Sequence, residues 1–162
     1  MKSGFLRKSM FMNRIPKSRL CIRDYDHFGT IRHICILRHP AGVIPSIMKR
    51  ERRSLAVASY RWMRCVEVFR RLNDNNAYAP IIVSFEDFIR QPEAMLKSLC
   101  AQLELVFSDQ MIEAPARNAR YRTKGFDPKR AEYEEYETIW QCLPEDAFDL
   151  YNSVYEKRIL PL

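Results

Sequence analysis

"ILRHPAGVIPS", residues 36–46, carries an apolar run into a basic residue and then into two prolines and a serine. The run itself, "HICILR" at 33–38, is rich in isoleucine and has turn residues near its ends, which suits a strand buried on both faces. A charge at the end of such a strand is expensive to desolvate, so Arg38 calls for an anionic partner. Pro45 limits where the next helix begins, because an interior proline clashes with the carbonyl four residues back; a start near Gly42 keeps it in the tolerated first turn. Ser46 then lies just inside the helix. In an open parallel sheet, ligands collect at the carboxyl ends of strands, where helix N-termini offer unpaired N–H groups and a positive dipole end. Arg38 and Ser46 are therefore candidates to converge on one phosphate. The plainer alternative pairs Arg38 with Glu86 or Asp87 and leaves Ser46 an ordinary helix serine.

Outward from this stretch, "PIIVSF" at 80–85 reads as a second buried strand and "RLCIR" at 19–23 as a weaker third. Between the two better strands, Leu55, Ala58, Trp62, Cys65, Val66, Phe69 and Leu72 recur at steps of three and four. That spacing predicts a helix over 54–72, with Ser54 as its N-cap and "NDNN" at 73–76 ending it. Strand, long helix and strand make a βαβ crossover, so the expected class is α/β: a parallel sheet with helices packed on it. Pro92 opens a further helix whose Met95, Leu96, Leu99, Cys100 and Leu103 share a face. Two more helices are expected near 129–142 and 144–157, after a basic, loop-like stretch at 114–127. With 162 residues, 47% of them hydrophobic, the chain 1–162 reads as a single domain.

The formal charge of +7 suits an acidic partner without choosing one. "MKRERR" at 48–53 contains Glu51 and falls at a helix boundary, and no aromatic platform accompanies it, so no nucleic-acid partner is expected. Five widely spaced cysteines read as reduced core thiols, and with His27, His33 and His39 they form no metal-ligand pattern, so no metal is expected. The basic N-terminus lacks the apolar segment of a signal peptide, and no stretch is long enough to span a bilayer. A cytoplasmic protein is the expectation.

"ICILRHPAGVIPS", the helix containing Trp62 and "IIVSFEDFIRQPEAMLKSLCAQLEL" together resemble the sulfotransferase family over residues 33–107. In that family a strand–Arg–x–Pro–helix–Ser segment binds the 3′-phosphate of 3′-phosphoadenosine 5′-phosphosulfate. The resemblance implies a P-loop-like fold, that nucleotide as sulfuryl donor, and Arg38 and Ser46 as its 3′-phosphate ligands. Phe85, Glu86 and Asp87 fall on a strand-end turn that the family uses structurally. "YRTKGF", residues 121–126, resembles the family's late loop over the nucleotide, which implies phosphate contacts from Arg122, Lys124 and Gly125. The family's 5′-phosphosulfate loop follows a strand well upstream of the Arg–x–Pro segment. "MKSGFLRKS" echoes it, but only 34 positions separate Gly4 from Arg38, too few for the intervening elements. The chain is thus expected to correspond to the C-terminal part of a sulfotransferase. Lys17 and Arg23 are the nearest basic replacements and His27 the nearest base, yet each reads more readily as a surface residue, so no catalytic base is assigned. The implied function is sulfuryl transfer to a hydroxyl or amine acceptor, impaired if the N-terminus is truncated. The alternative is a non-catalytic module that binds 3′-phosphoadenosine nucleotides.

Overall fold

Ile34–Leu37 (β1) and Ile81–Ser84 (β2) pair in parallel in the computed structural model, Ile34 opposite Ile81 and Leu37 opposite Ser84. The structure describes residues 32–75, 79–113, 126–133 and 136–162; the expected strand at 19–23 lies outside them. Two helices connect the strands: α1 (Pro40–Glu51) and the long α2 (Leu55–Asp74). Ser54 caps α2, its Oγ accepting from the Val57 N–H at 3.5 Å. Both strand cores, the parallel pairing and the crossover helix follow the sequence expectation.

Helix α1 differs from it. Pro40, not a residue near Gly42, occupies the first turn, so Pro45 sits inside the helix. Proline's fixed φ favours the first helical position, and Pro40 takes it directly after the strand. Arg52 ends α1 in the left-handed region, at φ 52°, and Glu51 bridges back to Arg61 and Arg50. The basic run at 48–53 is thereby partly neutralised within the fold.

Side chains alternate across the sheet as a strand's period of two requires. Cys35, Leu37 and Ile82 face Trp62 and Val66 of α2 and Tyr151 and Val154 of α7 (Asp146–Tyr155). Ile81 and Val83 face the other way, onto Met95 of α4 (Pro92–Gln102). Strand β2 is buried throughout. Strand β1 is not: Ile34 and Ile36 are 39% and 47% exposed, which corrects the expectation of a strand covered on both faces. Helix α4 covers the far side of β2, and β1 lies beyond its reach among the described residues. On β2's other edge, Ile82 forms a parallel bridge with Arg158, and the Ile159 N–H donates to the Ile82 carbonyl at 2.9 Å.

"FEDFIR" forms a short helix, α3 (Phe85–Arg90), capped by the Ser84 hydroxyl, which accepts from the Asp87 N–H at 3.1 Å. A single turn, α5 (Gln110–Glu113), follows α4. The helix expected over 129–142 is broken in two: a turn of 3₁₀ helix at Pro128–Ala131, then α6 (Tyr136–Gln141). Tertiary contacts override the local pattern here, because Glu132 turns extended and Tyr133 is drawn across to α1 and α3. No described helix is long and apolar enough to cross a membrane.

Candidate functional site

The carboxyl end of β1 delivers Arg38 half-buried beside the start of α1 and α3. Its backbone is fixed from below, since the buried Trp62 indole N–H donates to the Arg38 carbonyl at 3.1 Å. The crossover helix thus satisfies the acceptor left over where the strand ends. Above, the guanidinium lies 4.3 Å from the centre of the Phe85 ring, within cation–π range, and its Nε–H donates to the Tyr133 hydroxyl at 3.3 Å.

Glu86 is buried next to it and forms no salt bridge with a described residue. Its Oε1 accepts from the Tyr133 hydroxyl at 2.5 Å and from the His39 N–H at 3.1 Å, while Ser84 Oγ donates to Oε2 at 3.5 Å. The resident anion at the head of α1 is therefore Glu86, which takes the donor expected to await a ligand. That placement suits the positive end of the helix dipole, because no acidic residue stands in the first turn of α1. Asp87 is engaged elsewhere, accepting from Arg158 Nε at 2.8 Å. Among the described residues, then, Arg38 meets no carboxylate directly; Tyr133 stands between it and Glu86.

Tyr133 owes its position to Gly42. A Cβ at Gly42 would lie 2.6 Å from Cε1, Cζ and the hydroxyl of Tyr133, so only glycine lets the ring rest against α1. Burial is the main cause that pushes the Tyr133 phenol up to about 12; Arg38 opposes the rise and Glu86 adds to it. The phenol therefore stays protonated and remains a donor to the carboxylate.

His39 closes the floor. The Trp140 indole N–H donates to Nε2 at 3.0 Å, and the Ala41 N–H points to Nδ1 at 3.2 Å. Burial pushes the imidazole down to about 4, and a proton on Nε2 would face an indole that can only donate. His39 is thus a neutral structural base.

Of the residues expected at the site, Arg38 stands at the strand end. Ser46 lies exposed on α1, beyond the first turn, and makes no direct bond to Arg38. Arg122, Lys124 and Gly125 lie outside the described residues, as do Lys17, Arg23 and His27. Tyr133 and the structural glycine were not among the expected residues. A glycine inside a helix, which is unfavourable by about 1 kcal/mol relative to alanine, was the legible sign of a close approach. No group of three His, Cys, Asp or Glu side chains suited to a metal occurs among the described residues.

The arrangement of strands and helices around this site recurs in solved structures. The sulfotransferase domain from the Synechococcus PCC 7002 olefin synthase superposes with a TM-score of 0.65 at 22% identity, covering 80% of this chain and 50% of that one. This is the fold of sulfotransferase domains. The sulfotransferase domain from the curacin biosynthetic pathway agrees, with a TM-score of 0.62, 18% identity, and coverage of 80% of this chain and 54% of that one. The chain therefore spans about half the length of the sulfotransferase domains it matches. By sequence it is 25% identical over 166 aligned residues to the branched-chain-amino-acid aminotransferase-like protein 2 of Arabidopsis thaliana, covering 90% of this chain and 28% of that protein. Most of that protein lies beyond the shared segment. No family model matches.

Proposed function

We propose that the strand-end site holds the 3′-phosphate of 3′-phosphoadenosine 5′-phosphosulfate, with Arg38 and Ser46 as ligands, and that the protein serves transfer of the sulfuryl group to a hydroxyl or amine acceptor. The observation that carries this reading is an arginine at the end of a parallel strand, in a sulfotransferase fold, whose two neighbouring carboxylates are both committed to other donors. A phosphate arriving there gains a guanidinium already held by Phe85 and Tyr133, so little side-chain freedom is lost on binding. Arg122, Lys124 and Gly125 are assigned to the same nucleotide from the family resemblance.

In the transfer, the bond from sulfur to the bridging oxygen of the donor breaks as a bond from sulfur to the acceptor forms, and the acceptor's proton leaves to a base. The reaction depends on alignment and on donors to the oxygens that gain charge. In this reading Arg38 anchors the 3′ end of the nucleotide and leaves the 5′ end to residues outside the described ones. The second reading is a module that binds the nucleotide without turning it over.

Calorimetric titration with adenosine 3′,5′-bisphosphate tests the site. Arg38→Ala should weaken binding by about tenfold or more, as expected for a charge-assisted contact, whereas Arg53→Ala should leave it nearly unchanged. Equal losses would mean that bulk charge alone had been measured. Transfer of radiolabelled sulfate to phenolic and carbohydrate acceptors then separates the two readings: binding without transfer selects the module.

A further inference from the structure

We propose that Arg130 is a second cation of the strand-end site, and that with Arg38 it flanks the Phe85 ring to hold one dianionic phosphate monoester. The inference rests on the nucleotide reading above and extends it to a residue that no motif points to. Arg130 lies in the 3₁₀ turn, with its guanidinium 5.8 Å from the centre of the same Phe85 ring that Arg38 approaches to 4.3 Å. Both guanidiniums lie against the same aromatic ring, and neither meets a carboxylate among the described residues. Glu86 answers to Tyr133 and the His39 N–H, and Asp87 to Arg158. The unbalanced charge is what a bound dianion would relieve.

The turn that carries Arg130 is anchored while its side chain is exposed. Arg90 donates to the Ala131 carbonyl at 3.2 Å, Ala131 is buried, and Asp127 Oδ1 accepts from the Lys129 N–H at 3.1 Å. An arginine on a fixed turn has less freedom to lose on binding than one on a loose loop. A phosphate monoester carries close to two charges near neutral pH, so the pair of guanidiniums should favour it over a monoanionic diester.

The test is a calorimetric titration of the whole chain with adenosine 3′,5′-bisphosphate and with its 3′-methyl ester, in which the 3′-phosphate has one charge fewer. Arg130→Ala should weaken bisphosphate binding by about tenfold and Lys129→Ala, one position away in the same turn, by less than twofold. The methyl ester should bind the native chain more weakly and lose much less on Arg130→Ala. If Arg38→Ala impairs binding and Arg130→Ala does not, the second cation is refuted while the strand-end site stands. If neither matters, both fall. Equal losses from Lys129→Ala and Arg130→Ala, or equal losses for the two ligands, would overturn the paired-cation assignment.

Discussion

Gly42→Ala should destabilise this protein, although alanine in place of an exposed helix glycine normally stabilises. In an open helix the change is worth about 1 kcal/mol in favour of alanine. At Gly42 the added carbon would sit 2.6 Å from three atoms of Tyr133, against a normal separation of roughly 3.5–4.0 Å, so the ring must withdraw. Withdrawal breaks the Tyr133 bond to the Glu86 carboxylate and the Arg38 bond to Tyr133. A hydrogen bond to a charged group contributes about 1.5–3 kcal/mol, and its loss leaves the buried Glu86 short of a donor. Subtracting the helix gain leaves a net loss of roughly 0.5–2 kcal/mol. Urea unfolding followed by circular dichroism would read this as a lower midpoint at unchanged slope. In a Tyr133→Ala background the clash has gone, so the same Gly42→Ala change should instead raise stability by about 1 kcal/mol. That reversal of sign is the signature. A stabilising Gly42→Ala in the native background would refute the reasoning outright.

Other perturbations probe the frame around the site. Trp62→Phe keeps most of the apolar volume but removes the donor to the Arg38 carbonyl, so stability should fall by about 1–2 kcal/mol in chemical denaturation. His39 binds its proton only near pH 4 in the folded chain against an ordinary 6.5, so its contribution is whole above about pH 6.5 and is lost as the pH falls towards 4. That stretch of acid destabilisation, at most about 3 kcal/mol, should be missing from His39→Gln, and matching slopes in the two proteins would count against it. Arg158→Met removes the partner of Asp87, and both side chains are about one-fifth exposed; thermal stability should drop modestly, and the difference should shrink in 1 M salt as about 3 Å screening takes hold.

The βαβ unit was readable because its signals are local. "HICILR" and "PIIVSF" are short apolar runs, and the helix between them repeats its apolar face at steps of three and four from Leu55 to Leu72. Ser54 was equally plain, since a hydroxyl before an apolar-periodic run is a cap by chemistry alone. What escaped depends on partners distant in the chain. The residue that receives the His39 N–H at the head of α1 is Glu86, 47 positions away. The helix expected over 129–142 broke because Tyr133 reaches Arg38, 95 positions back. Nothing in "RAEYEEYE" distinguishes Tyr133 from Tyr136, and no spacing rule brings Arg130 to Phe85. Arg38 itself stood out because a charge at a strand's end is conspicuous in any sequence.

The pairing of Ile82 on both its edges bears on the order in which this protein can be made. One neighbour, β1, leaves the ribosome before it, but the other, at Arg158 and Ile159, is translated long afterwards. Until those residues emerge, β2 has one open edge, and Asp87 lacks the arginine that engages it. Closing that edge of β2 therefore waits on a contact far apart in sequence, the kind that is slow to form. A nascent chain stalled before Arg158 would display an apolar parallel pair with an unfilled edge, the kind of surface on which holding chaperones act.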